Sequence, residues 1–288
     1  MILVDLNQVL ISTVMVSIGP KNLEKIQDDT EDMFRHIFLN SIRSNRLKFG
    51  SEYGEMILCA DDKNYWRKDF FPYYKANRKK NREESKLDWN RIFQFINNVR
   101  DEVKEFLPYN VLQVNKAEAD DIIGTLCHTY GTYMSNGEPI LILSGDKDYI
   151  QLHKYANVKQ FDPTRKKWVY TLNPEEYMFE HIIKGDVGDG IPNVLSDDNS
   201  LVMGIRQKPI TKKRIDTWKK ENPKTGEESL KTKYLRNETL IDLSKVPEGL
   251  QNEILEMFEN RQKKSREKML FYFMAKKLKN LTEHISEF

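Results

Sequence analysis

Glu118-Ala119-Asp120-Asp121-Ile122-Ile123-Gly124 and, some two dozen residues later, Ser144-Gly145-Asp146-Lys147-Asp148 decide how this chain is read. The first stretch opens an apolar helical run through Leu126, and the second ends the run Pro139-Ile140-Leu141-Ile142-Leu143. Both are therefore predicted to stand at one edge of a sheet, which in open α/β sheets is where ligands bind. Glu118, Asp120, Asp121, Asp146 and Asp148 gather without a His or Cys, and an oxygen-only donor set selects Mg²⁺ or Mn²⁺ over Zn²⁺. Glu118 and Asp120, two apart, would face opposite ways in mid-helix, so they must act from its first turn. A first turn favours acids on its own account, but that explains one cluster and not two.

With 288 residues, 39% of them hydrophobic, the chain can bury a core in one large domain or two smaller ones. No run approaches a membrane span, and Met1-Ile2-Leu3-Val4-Asp5 meets an acid too early for a signal peptide, so a soluble cytoplasmic protein is expected. Cys59 and Cys127 lie in apolar surroundings without metal-ligand spacing and read as buried free thiols. The net charge is +2, yet residues 63–82 carry eight Lys or Arg against Asp69, a local +7 that leaves the remainder near −5. A basic segment beside an acidic site suits a polyanionic substrate. Six aromatics interleave with those cations, as a surface that stacks on bases and grips phosphates requires. The segment is expected to arch over the site as a partly mobile cover, with Phe70 and Phe71 in the core.

Ile2-Leu3-Val4-Asp5 reads as a buried strand that delivers Asp5 at its end, equally a metal ligand or a turn cap. Residues 55–60 run into Asp61-Asp62, and residues 109–114 lead to the acidic helix. Helices are expected over 30–47, packing through Met33, Ile37, Leu39, Ile42 and Leu47, and over 86–106. This alternation predicts an α/β fold with a mostly parallel central sheet flanked by helices. Residues 157–162 and 167–171 should add an antiparallel edge around Asp162-Pro163-Thr164. Lys184-Gly185-Asp186-Val187-Gly188-Asp189-Gly190-Ile191-Pro192 reads as a hinge between an N-terminal domain (1–183, arch 63–90) and a C-terminal helical, helix-turn-helix-type, DNA-binding domain (184–288). Its glycines could present amides to a phosphate, with Arg206, Lys208, Lys212, Lys213 and Arg214 following, although Asp186 and Asp189 could equally cap turns. The final helices are expected at 228–239 and 248–281. His36, His128, His153, His181 and His284 show no partner pattern and are read as structural or surface residues.

Glu118-Ala-Asp-Asp-Ile-Ile-Gly-Thr-Leu126 and Ser144-Gly-Asp-Lys-Asp-Tyr-Ile-Gln-Leu152 resemble the signature stretches of the flap endonuclease and 5′-nuclease superfamily, which includes the 5′-nuclease domain of bacterial DNA polymerase I. Tyr65-Trp-Arg-Lys-Asp-Phe70, Tyr73-Tyr-Lys75 with Arg78, Arg82-Glu-Glu-Ser85, Gln151-Leu-His-Lys-Tyr155 and the closing Phe288 resemble its T-even-type bacteriophage ribonuclease H branch. Several motifs in the right order are more specific than any one alone. The resemblance implies a PIN-like 5′-nuclease fold and a two-metal site (Mg²⁺, with Mn²⁺ able to substitute) at Asp5, Asp61, Glu118, Asp120, Asp146, Asp148, Asp186 and Asp189. It implies that Arg67 and Lys75 stabilise the phosphate in the transition state and that Tyr74 stacks near the scissile nucleotide. Arg78, Lys79, Lys80, Arg82, Lys212 and Lys213 are the expected nucleic-acid contacts. The implied activity is 5′ to 3′ exonuclease and flap cleavage of RNA-DNA hybrids and DNA, removing RNA primers in phage replication in the cytoplasm of the infected bacterial host. A monomer is expected, with a single-stranded-DNA-binding protein and a sliding clamp as protein partners.

Two departures stand out. Gly190 occupies the place where cellular relatives follow Gly-Asp-x-x-Asp with Asn, and Leu195-Ser-Asp-Asp-Asn199 interrupts the usual glycine hairpin before Met203-Gly204. The duplex grip around a monovalent ion should therefore differ. The chain also starts almost at its first strand, so an N-terminal tail for clamp docking is expected to be missing. The rival reading is a catalytically inactive protein that binds 5′ ends; it would have lost carboxylates, and none of the expected ones is lost. A small-molecule phosphatase would have little use for the basic arch.

Overall fold

The computed structural model describes residues 1–18, 28–85, 87–134, 136–225 and 227–288. Among the described residues, six strands form one sheet: β1 (Ile2–Asp5), β2 (Met56–Cys59), β3 (Asn110–Leu112), β4 (Ile140–Leu143), β5 (Val158–Asp162) and β6 (Lys167–Val169), in spatial order β3-β2-β1-β4-β5-β6. All neighbours pair in parallel except β5 and β6, as the alternation of elements predicts. The central strands are short unbroken apolar runs because both faces are covered by helices. Val4 sits in register between Leu58 and Leu143, so the chain leaves β1, β2 and β4 on the same side, carrying Asp5, Asp61 and Asp146 to one edge.

The first half supplies helices α1 (Leu6–Ile18), α2 (Asp28–Tyr53), α3 (Trp66–Phe70), α4 (Asn77–Glu83), α5 (Trp89–Phe106) and α6 (Ala119–Tyr130). After the sheet come α7 (Pro174–Lys184), α8 (Lys212–Glu221), α9 (Glu228–Ile241), α10 (Glu248–Glu259), α11 (Met269–Ala275) and α12 (Lys279–Thr282). Helix starts fall where side chains can cap them: Asp88 accepts from the Arg91 amide and Asn173 from the Glu176 amide, with Pro174 at the first helical position. No helix among the described residues is long and apolar enough to cross a membrane.

Among the described residues, three apolar clusters hold these layers together. One face of the sheet packs α1, α2 and α5 with α11, α12 and Phe288; the other packs α6 and α10; a third joins Phe71 and Tyr74 of the arch to α7, α8 and α9. Residues 184–288, expected as one domain, contribute to all three. The expected helix 248–281 is broken, because α10 covers one face of the sheet and α11 the opposite face, and one straight helix cannot bury a stripe on both. Residues 260–268 make the crossing, fixed by the Arg261–Glu55 pair at 2.9 Å. Helix α2 also differs from expectation: Phe34, Phe38, Leu39, Ile42 and Phe49 are buried while Met33, Ile37 and Leu47 are exposed. The i, i+4 row that starts at Phe34 won over the stripe that starts at Met33. Cys59 and Cys127 are buried free thiols, as read.

Candidate metal centre

Asp5, at the end of β1, is only 4% exposed. Its carboxylate accepts from the Gln8 amide at 3.1 Å, the Ser144 hydroxyl at 3.1 Å and the Tyr149 hydroxyl at 3.2 Å. The Tyr149 hydroxyl also lies 2.7 Å from Asp120 Oδ1. It has one proton for two carboxylates, so it ties Asp5 and Asp120 together without satisfying both. Asp61 accepts from the Asn7 amide group at 3.0 Å and from the Ala119 backbone at 2.8 Å, which locks the end of β2 to the start of α6. Asp146 accepts from the Asp148 amide at 3.1 Å.

The acids repel one another. Burial, then the charges of Asp61 and Asp146, pushes Asp5 up to about 7. Burial and Asp146 push Asp148 up to about 8, and burial, Asp146 and Asp5 hold Asp120 well above the ordinary carboxylate range. Asp146 enters both sets, one with Asp5 and Asp120 and one with Asp148, Asp186 and Asp189. Buried carboxylates that repel one another can serve as donors to a divalent cation, and their oxygen chemistry fits one.

Part of that demand is met by the arch. Lys75 reaches in with its backbone at φ 57°, donates its backbone N–H to the Asp189 carbonyl at 2.7 Å, and pairs its ammonium with Glu118 and, at 3.5 Å, Asp189. Burial alone would raise Glu118, but Lys75 and Arg67 outweigh it and hold it below its usual value. Arg67 is 2% exposed; it meets Glu118 at 3.1 Å and Asp121 at 2.7 Å and donates to the Leu240 carbonyl at 2.8 Å. The Tyr74 hydroxyl lies 2.9 Å from Glu118 and 3.0 Å from Asp189, and the residue is buried. Its ring therefore offers no face to a base in this conformation, contrary to the expected stacking role. Trp66 and Phe71 are also buried, whereas Phe70, read as core, is exposed.

The expected mobile cover is thus seen seated on the Gly185–Pro192 turn. Asn77 donates to the Val187 carbonyl at 2.7 Å, Arg78 donates to the Gly188 carbonyl at 3.1 Å and pairs with Asp189. Gly190 stands at φ 73°, and a Cβ there would lie 2.8 Å from the Tyr73 carbonyl, which accounts for glycine at this position. Asp62 and Asp121 serve the framework: Asp62 accepts from the Lys116 amide at 3.0 Å, Asp121 from the Glu118 amide at 2.9 Å and Trp66 Nε1 at 3.1 Å. Lys79 and Lys80 are exposed, with loose i, i+4 pairs to Glu83 and Glu84 at 3.9 Å. Arg82 donates to the Arg78 carbonyl and lies over the Phe93 ring. Lys212 and Lys213 are exposed in the first turn of α8, where the helix dipole disfavours cations.

Two residues of the centre escaped sequence reasoning. Tyr149 carried a signal, being next to Asp148. His181, read as structural, lies with Nδ1 3.6 Å from Asp148 and Nε2 3.4 Å from Asp186. Burial lowers its pKa, but the hydrogen bond to Asp186 and the charge of Asp148 more than reverse this. Its signal was its place in the last turn of α7, five residues before Asp186.

Residues 20–181 match the family described as 5′-3′ exonuclease, N-terminal resolvase-like domain, and residues 173–288 match the family described as T4 RNase H, C terminal. The ribonuclease H of Enterobacteria phage T4 is 35% identical, over 99% of this chain and 95% of that protein. A 5′-3′ exonuclease of Buchnera aphidicola is 28% identical over 48% of this chain and 47% of its own. Among solved structures, a zinc-bound T5 5′-exonuclease superposes with a TM-score of 0.63 at 17% identity, covering 90% of this chain and 98% of that one. The T5 D15 protein co-crystallised with metal ions gives a TM-score of 0.60 at 15% identity, over 91% and 99%. These likenesses agree with the parallel sheet and flanking helices described above.

Proposed function

The chain belongs to the 5′-3′ exonuclease family, with the C-terminal region of the T4 RNase H family, and we propose that it hydrolyses phosphodiesters of RNA-DNA hybrids and duplex DNA from 5′ ends, as a Mg²⁺-dependent exonuclease and flap endonuclease that removes RNA primers. The observation that carries this reading is the convergence of Asp5, Asp61, Glu118, Asp120, Asp146 and Asp148 at the sheet edge beneath a basic arch. Divalent ions held there supply an activated water and a counter-charge for the leaving oxygen.

The protein's own groups bind and orient. Asp5, Asp120 and Asp146 would hold one ion, and Asp146, Asp148 and Asp186 a second; Tyr149, Ser144 and Asn7 fix the orientation of the carboxylates. Lys75 and Arg78 sit where a phosphate would meet positive charge, and the exposed Lys79, Lys80, Lys212 and Lys213 suit backbone gripping. Metal ions and DNA named with the T5 proteins support the same reading.

The test is cleavage of a 5′-labelled flap and a nicked RNA-DNA hybrid with Mg²⁺ and then with chelator. Shortening from the 5′ end that stops with chelator is expected. Binding without cleavage at any divalent ion concentration would instead support a protein that only positions 5′ ends.

A further inference from the structure

His181 has no place in an all-carboxylate centre, yet it stands inside this one. It comes from the last turn of α7, with both ring nitrogens turned to carboxylates, 3.6 Å from Asp148 Oδ1 and 3.4 Å from Asp186 Oδ2. One donor atom each from Asp148, His181 and Asp186 lies within 4.8 Å of the other two. Two donors on opposite sides of one ion stand about 4.2 Å apart, since metal-ligand bonds are about 2.1 Å long. A cation bound by one ring nitrogen and both carboxylates would draw the three donors closer than they stand here, by side-chain rotation.

We propose that His181 is a nitrogen ligand of the ion shared with Asp148 and Asp186, which makes this position mixed in donor type while the one around Asp5 and Asp120 remains all-oxygen. The proposal rests on the reading of these carboxylates as a divalent-ion centre. An imidazole contributes little to Mg²⁺, which prefers oxygen and water, and much more to ions later in the divalent series. The two positions should then differ in selectivity: the Asp5 side favouring Mg²⁺ or Mn²⁺, the His181 side shifted toward Mn²⁺ and, more strongly, Zn²⁺.

The experiment uses protein labelled with ¹⁵N-histidine, titrated with Zn²⁺ and followed by long-range proton-nitrogen correlation. With five histidines, the signal that disappears in His181→Gln identifies residue 181. One nitrogen of His181 is expected to move to the metal-bound position as the ion saturates, with the other four histidines unmoved. Calorimetry on the same samples should show that His181→Gln weakens one Zn²⁺ site by about 10-fold or more, the least that loss of even an outer partner of a metal ligand costs, and changes Mg²⁺ affinity by less than about threefold. Zn²⁺ that binds, is released in Asp186→Asn and leaves the His181 nitrogens unmoved would overturn the nitrogen ligand while keeping the metal centre. A protein that takes up no divalent ion would overturn both. Unchanged signals from His128 and His153 in His181→Gln show that the variant is folded.

Discussion

Lys75 and Glu118, 43 residues apart in sequence, form an ion pair that joins the arch to the start of α6. The ammonium occupies ground that the surrounding acids need filled, so the arch and divalent ions act on the same excess of negative charge. An incoming phosphate adds more negative charge, to which Lys75 can turn. We expect Lys75→Met to lower kcat at least tenfold, a barrier increase of about 1.4 kcal/mol, with KM changed less than about threefold. Single-turnover cleavage of a 5′-labelled flap at saturating Mg²⁺ measures it. A change confined to KM would make Lys75 a binding residue.

Arg67 should behave otherwise. The family resemblance points it at the phosphate, but it is buried against Glu118, Asp121 and the Leu240 carbonyl. Removing one partner from a buried ion pair leaves an uncompensated charge and costs about 3–5 kcal/mol. Arg67→Met is expected to lower the unfolding free energy by that amount in a urea titration, while Lys79→Ala and Lys80→Ala stay within about 0.5 kcal/mol of the parent. The two lysine variants should instead flatten the salt dependence of DNA binding by about one unit of slope for each phosphate interaction removed. An Arg67 variant of unchanged stability would return the residue to a purely catalytic role.

Much of this was legible because the strands are apolar runs closed by acids. Ile2–Asp5, Met56–Cys59 and Ile140–Leu143 fall within one or two residues of their expected bounds, and parallel pairing then places Asp5, Asp61 and Asp146 together without further information. What was not legible depends on packing between distant segments. Nothing local says that Tyr74 lies inward with its hydroxyl shared by Glu118 and Asp189, since the same aromatic-basic pattern suits an exposed stacking surface. The break at residues 260–268 follows from which face of the sheet α10 and α11 cover. His181 becomes part of the centre only when the turn after α7 folds back beside Asp148.

The raised acids set a pH dependence whose sign is fixed. Asp5 and Asp148 titrate near 3.8 when unfolded and at about 7 and about 8 when folded. Between those limits the folded state holds more protons at these two groups, so their own contribution makes metal-free folding less favourable as pH rises from about 4 to about 8, while acids held low by their partners, such as Glu118 and Asp186, contribute in the opposite sense at acidic pH. Divalent ions replace the protons, so stabilisation by Mg²⁺ should grow over the same window. The measurement is melting temperature with Mg²⁺ and with chelator at pH 5.5 and pH 8. A Mg²⁺ increment no larger at pH 8 would show that these acids do not bind it.

The seated arch bears on how substrate enters. The interior void lined by Arg67, Tyr74, Asp120, Asp148, Asp186 and Asp189 measures about 10 Å³, room for about one water, so the seated arch leaves no space for a nucleotide on this side of the centre. A nucleotide entering on this side would require the arch to lift from the turn, while both its ends stay anchored. At its start, the backbone amides of Asp62 and Trp66 donate to the Ala117 and Lys116 carbonyls at 2.9 and 3.0 Å; at its end, α5 is held in the core by Ile92, Phe95 and Ile96. A segment tied at both ends opens as a loop, which admits a strand by its end more readily than from the side. A 5′ flap or linear nicked hybrid should therefore be shortened from its 5′ end with weak sequence preference, since stacking and phosphate contacts ignore base identity. A covalently closed circular hybrid should resist. Enzymes that grip the middle of a hybrid through its shape and 2′-hydroxyls would cut both. Equal enzyme and Mg²⁺ on each substrate decides it, and comparable initial rates on the closed circle would overturn end entry and place substrate access beside the arch.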